Sequence, residues 1–186
     1  MAREKTKFKN KVSEWLQKTF KEDLNEKVER FLSIPSIDPI PTVEKFVQLI
    51  HEVFQLYTNG LFYSTVALCG ITAERLCYDI IEDSKITINE TTLSSSQKET
   101  LHRLNQAVLI DTLFEWGLVK KETKKKLHKI RKIRNKYIHP SEFSKQEPKK
   151  DALKILGLLC QVINNEYGPD PNTRYTIVYG RIKRQY

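Results

Sequence analysis

Apolar residues recur every three or four positions along almost the whole chain, and that spacing restricts it to packed helices. Val12, Leu16, Phe20, Leu24, Val28 and Leu32 step by fours, with Trp15 and Phe31 beside them, which predicts one long amphipathic helix. Ser33 to Pro41 holds Pro35, Pro39 and Pro41 and reads as a connector. Thr42 is a good N-cap for a second helix running to about Tyr57, Asn59-Gly60 turns the chain, and a third helix covers about Leu61 to Ile81. Asp83 to Ser96 is polar and reads as a loop that offers serine caps to a fourth helix, from about Ser96 to Trp116, stopped by Gly117. Thr123 caps a fifth helix that Pro140 ends. Pro148 opens a sixth, which ends near Tyr167 before Gly168-Pro169. Tyr175 to Tyr179 has the composition of a short strand. The class is therefore all-α, in three parts: an amphipathic helix and Pro-rich connector (1–41), a helical bundle (42–167) and a basic, aromatic tail (168–186).

At 186 residues the chain is one domain's worth and buries a core without disulfides or a structural metal. Its three cysteines, an odd number, fit a reducing compartment. Cys69 and Cys77 are eight residues apart on one helix, about 12 Å by helical rise, too far to share an ion. His51, His102, His128 and His139 form no His-x3-His pair, and neither a Gly-rich phosphate loop nor a nucleophile elbow occurs. No metal or cofactor is expected. Val53 to Ala73 is uncharged, but Asn59-Gly60 divides it, so two buried helices explain it better than a membrane span. No apolar segment follows the basic N-terminus, as a secretory signal would require, and a cytoplasmic location is expected.

The charge is concentrated. Residues 120–136 carry ten bases against Glu122 alone, a net +9 that equals the charge of the whole chain. Such crowding is self-repelling, and a phosphate-bearing partner offsets it; a solvated lysine face is the alternative. Lys124, Lys125, Lys129, Arg131, Lys132 and Lys136 are the candidate nucleic-acid contacts. In the tail, Arg174, Arg181, Lys183 and Arg184 alternate with Tyr175, Tyr179 and Tyr186, a pattern open to base stacking or to a terminal strand.

On the basic helix, Leu127, Ile130, Ile133, Tyr137 and Ile138 define an inward stripe. At 100° per residue, Arg134 falls about 20° from Leu127, inside that stripe. A guanidinium aimed at a core needs a partner. The third helix supplies one: its apolar face holds Val66, Ala67, Gly70, Ala73, Leu76, Cys77, Ile80 and Ile81, and Glu74 falls about 80° from Val66, within it. A largely buried Glu74–Arg134 pair is expected, either as a structural tie between two helices or as part of a functional pocket.

Arg134-Asn135, followed after three residues by His139 at a helix end, resembles the Arg-x4–6-His motif of the HEPN superfamily. Ser64 to Leu76, with its inward Glu74, is similar to that superfamily's earlier core helix. The resemblance covers about residues 42–167 and is closest to HEPN-related domains found beside restriction and antiphage genes. It implies a HEPN-like helical bundle and a metal-independent endoribonuclease. Arg134 would hold the scissile phosphate, His139 would act as general acid or base, Asn135 would orient the phosphate or the histidine, and Glu74 would hold Arg134. It also implies a homodimer whose two motifs meet, RNA as the partner, and a role in defence or toxin-type RNA cleavage with a protein partner in some systems. Some HEPN toxins carry a tyrosine two residues after the histidine; here that residue is Ser141, which argues against that toxin–antitoxin arrangement. Non-catalytic HEPN domains that bind nucleic acid or a protein partner are the alternative.

Overall fold

The computed structural model describes residues 2–37, 44–84, 86–88, 91–138, 146–167, 177–178 and 181–182. Within them the helices are α1 (Ala2–Leu32), α2 (Glu44–Thr58), α3 (Phe62–Asp83), α4 (Ser95–Leu101), α5 (Gln106–Glu115), α6 (Lys121–Ile138) and α7 (Pro148–Tyr167). Two antiparallel ribbons have only two residues per strand: β1 (Thr87–Ile88) with β2 (Thr91–Thr92), and β3 (Ile177–Val178) with β4 (Arg181–Ile182). The fold is all-α. The tail strand pairs with the residues that follow it, and the stretch between α3 and α4, read as a loop, holds the other ribbon.

Three helix boundaries differ from the periodicity reading. The single helix expected over 96–116 is two, because Asn105 caps α5 by accepting from the Ala107 amide at 2.9 Å. The break is fixed to α3 by the Tyr78 hydroxyl, which donates to the His102 carbonyl at 3.1 Å. Ser94 starts α4 with a reciprocal capping box to Gln97. Thr123 does not cap α6: the helix already begins at Lys121, with the Lys124 amide donating to the Lys120 carbonyl, and Thr123 is a buried interior residue whose hydroxyl donates to Glu166 Oε1 at 2.7 Å.

The helix α3 is the centre of the bundle, packed against α2, α5, α6 and α7. Its buried face contains Val66, Cys69, Gly70, Ala73, Leu76, Cys77, Ile80 and Ile81; Ala67, expected on that face, is exposed because it sits at its margin. Leu127, Ile130 and Ile133 of α6 and Ile155, Leu156, Leu159 and Ile163 of α7 complete the core. Each such side chain contributes roughly 1.5–3 kcal/mol by leaving water. Ile138 departs from the inward stripe and is 56% exposed, since α6 ends there. The uncharged run resolves into α2 and α3, meeting at Gly60, whose φ of +75° suits glycine. No helix among the described residues is long and apolar enough to cross a membrane. Cys69, Cys77 and Cys160 are free and buried, and desolvation raises the Cys77 thiol to about 12 and that of Cys160 to about 11.

The C-terminal end of α1 is anchored to the bundle. Arg30 is buried there, donating from Nε to the Thr58 carbonyl at 2.8 Å and pairing with Glu26 and Asp23 at 2.8 and 3.0 Å. Ser33 and Tyr57 bring their hydroxyls within 3.3 Å, and Ile34 and Ile37 join the core margin. The apolar residues that predicted the helix point elsewhere: Trp15, Leu16, Leu24, Val28, Phe31 and Leu32 are all exposed.

Candidate functional site

Arg134 reaches its position because α3 makes room for it. A Cβ at Gly70 would lie 2.2 Å from Arg134 Cδ and 2.8 Å from Cγ, so the arginine stem rests directly on the α3 backbone. One turn further along α3, Glu74 Oε2 accepts from Arg134 Nη1 at 3.2 Å. The other carboxylate oxygen of Glu74 lies 3.1 Å from the Tyr78 hydroxyl and shares that group's single proton with the His102 carbonyl. Gly70, Glu74 and Tyr78 are spaced by four, a single ridge of α3 that sets the arginine's stem, its charge partner and the partner's own anchor. Desolvation, with the Glu74 charge and hydrogen bond, raises the Tyr78 phenol to about 12, so it remains a donor to Glu74 through the physiological range.

The expected pair is therefore formed, but it is less buried than the helical phase suggested. The Arg134 side chain is 20% exposed and that of Glu74 31%, because the contact lies at the rim of the α3–α6 interface rather than at its centre. Arg134 Nε has no hydrogen-bond partner among the described residues. The guanidinium is thus oriented by one carboxylate; Nε is buried, so the donors open to another acceptor are those of the terminal nitrogens. Asn135, the next residue, is partly exposed. His139 lies outside the described residues.

The end of α6 is pinned to the start of α7. Asp151, buried at 5% exposure, accepts from the Tyr137 hydroxyl at 3.0 Å, from the Glu147 amide at 3.3 Å and from Lys136 Nζ at 3.4 Å. Gln146 Nε2 donates to the Lys136 carbonyl at 2.7 Å, and the Tyr137 ring meets Tyr63 edge-on at 5.4 Å. Burial and Asp151 push the Tyr137 phenol well above its ordinary value. These contacts fix both flanks of residues 139–145 without involving Arg134.

The basic residues divide into two groups. Lys125, Lys129 and Lys132 are exposed and Arg131 is half-buried, as a surface for anions requires. Lys124 and Lys136 have carboxylate partners within the chain: Lys124 Nζ meets Asp111 Oδ1 at 2.8 Å and lies 4.6 Å from the Phe114 ring centre, and Lys136 meets Asp151. Asp111 also contacts His128 Nε2 at 3.1 Å, and Lys124 followed by His128 holds its carboxyl below the usual range. Gly70, Tyr78, Tyr137 and Asp151 were not singled out from sequence. For Gly70 and Tyr78 the signal existed, one turn on either side of Glu74; for Asp151 it did not, since a first-turn carboxylate usually serves only its own helix.

No curated protein and no solved structure matches the chain. One family model does, over residues 51–179, from α2 through the tail ribbon's first strand, and it includes the Gly70–Glu74–Tyr78 ridge together with Arg134. On that match, the chain belongs to the family described as Domain of unknown function (DUF4145).

Proposed function

We propose that this chain is a HEPN-like, metal-independent endoribonuclease of the cytoplasm, acting in defence or toxin-type RNA cleavage. The observation that carries the reading is Arg134: it is aimed by Glu74, keeps free donors, and stands at the end of the helix that holds the chain's surplus positive charge. In the reaction, the ribose 2′-OH attacks the adjacent phosphorus as a base removes its proton, and the 5′-oxygen leaves as it is protonated. The products are a 2′,3′-cyclic phosphate and a 5′-OH. Arg134 neutralises the charge on the non-bridging oxygens. His139, the first residue after α6, carries the proton, and Asn135 orients the phosphate or the imidazole. Glu74 is a positioning residue: it acts through Arg134.

One arginine and one histidine per chain make a sparse site, and a two-fold homodimer doubles it. Support for such a contact comes from the apolar rim beside the pair, where Tyr63, Ile71 and Ile138 are 57%, 44% and 56% exposed. The same rim favours a second reading, a non-catalytic module that takes a protein partner on this face. Purified protein incubated with mixed RNA in EDTA separates the two. Cleavage that leaves cyclic phosphate ends, spares DNA of the same sequence and disappears in both Arg134→Ala and His139→Ala supports the enzyme. Cleavage that persists in both variants, or that requires Mg²⁺, refutes it.

A further inference from the structure

The N-terminal half of α6 meets α5 around a surface cavity of about 350 Å³, lined by Phe114, Lys121, Lys124, Lys125, His128 and Lys129. Two of its lining residues are committed internally, since Lys124 and His128 share Asp111 Oδ1. Lys121, Lys125 and Lys129 are exposed and form no ion pair among the described residues. They occupy three successive turns of one helix ridge, roughly 6 Å apart by helical rise. Like charges at that spacing disfavour a helix, and among the described residues no carboxylate pairs with them.

The ridge does not end at the cavity. Lys121, Lys125, His128, Lys132 and Asn135 advance along α6 by alternate steps of four and three, which keeps all five on one side of the helix. That side leads from the cavity to Asn135; Arg134 itself lies about 180° round the helix from Lys125, toward α3. Lys125 stands about 15 Å from Asn135 by helical rise, the span of about four nucleotides of a stacked strand at roughly 3.4 Å each.

We propose that this cavity is a remote phosphate subsite, and that a single-stranded RNA lies along the ridge of α6 from Asn135, the residue proposed to orient the scissile phosphate, to the three lysines. The inference rests on the ribonuclease reading for the direction of the strand and adds to it a substrate class: single strands long enough to reach both places. Lys124 and His128, held by Asp111, shape the wall, while Lys121, Lys125 and Lys129 contact successive phosphates.

Fluorescence anisotropy with labelled single-stranded RNA tests this in the Arg134→Ala background, where the strand stays intact. A strand of about twelve nucleotides should bind at least tenfold more tightly than one of about four, and the Lys121→Gln/Lys125→Gln/Lys129→Gln triple should abolish that gain. Three fewer phosphate contacts should lower the slope of log affinity against log salt by about 2. A charge-matched triple on α1, Lys9→Gln/Lys11→Gln/Lys21→Gln, should leave both quantities unchanged. An undiminished length gain and slope in the α6 triple, or equal losses in both triples, overturns the subsite. The outcome is independent of cleavage: RNA that binds through the three lysines but is never cut by the unmodified chain refutes the ribonuclease reading and leaves the subsite standing.

Discussion

Gly70→Ala is the sharpest perturbation the structure offers, because its sign depends on a single neighbour. The added methyl carbon would lie 2.2 Å from Arg134 Cδ. Carbon atoms pack at about 3.5–4.0 Å, so the stem must move by roughly 1.3–1.8 Å. A shift of that size takes Nη1 out of hydrogen-bond range of Glu74, which it now meets at 3.2 Å. Overpacking of this kind costs about 1–3 kcal/mol, and alanine's helix preference over glycine returns about 1 kcal/mol. The net loss should be up to about 2 kcal/mol, at most a few degrees in Tm for a chain of this size. In the Arg134→Ala background the clash is gone and only the helix term remains, so Gly70→Ala should then stabilise by up to about 1 kcal/mol. Urea unfolding of the four proteins gives the cycle directly, with a coupling energy on the order of 2 kcal/mol. Equal destabilisation in both backgrounds would refute the placement of Arg134 on Gly70. If the chain cleaves RNA, Gly70→Ala alone should also slow cleavage by on the order of a hundredfold, the usual consequence of displacing a catalytic group by about 1 Å.

Other outcomes follow from the same contacts. Glu74→Gln should cost about 1–3 kcal/mol in urea unfolding, less than for a fully buried pair because both side chains touch solvent; a loss above about 4 kcal/mol would mean the pair is deeper than described. Tyr78 has a folded pKa raised from 10.0 to about 12, so the folded state holds its proton more tightly: that contribution is complete below pH 10 and is lost as pH rises through 12. Tyrosinate absorbance should show a late-titrating phenol that Tyr78→Phe removes, and a titration unchanged by that substitution would contradict the assignment. Thr123→Val strips a buried donor from Glu166 and should destabilise by about 1–3 kcal/mol, whereas an unchanged urea midpoint would show the 2.7 Å bond to be dispensable. The three buried thiols should react with Ellman's reagent only at the rate of unfolding; fast reaction of any one in native buffer would contradict its burial.

The sequence was most legible where one physical signal acted alone. Period and punctuation located α2, α3, α7 and the end of α1 to within a few residues, because Ser33 to Pro41, Asn59-Gly60, Pro148 and Gly168-Pro169 leave the chain no alternative; the start of α1, ten residues before Val12, carries no such signal. It was least legible where side chains overrule the period. The apolar run across 96–116 continues through the break at His102, and only the Asn105 cap and the Tyr78 hydrogen bond, a contact across 24 residues, divide it. The Glu74–Arg134 pairing was readable from helical phase, but its depth was not, since phase gives a direction and says nothing of where an interface ends. The sharing of Asp111 between Lys124 and His128 depends on how α5 meets α6, which no local pattern encodes. The long apolar stripe of α1 announced a helix but left open whether that helix packs on the bundle; Trp15, Leu16, Leu24, Val28, Phe31 and Leu32 are exposed.

Placing the charge partner, the glycine groove and the tyrosine anchor all on α3 has a consequence for dynamics. Proteins open in cooperative units, and elements with few core contacts exchange their amide hydrogens without global unfolding. The stretch of α1 over residues 9–18, exposed throughout, belongs to that labile class, and so does α4, which contains no buried residue. In contrast, α3 touches five other helices, so its amides around Gly70 and Glu74 should exchange only when the whole bundle opens. The site is then as durable as the domain: partial melting that frees α1 or α4 leaves Arg134 aimed, and no partly folded species retains the bundle while losing the ridge.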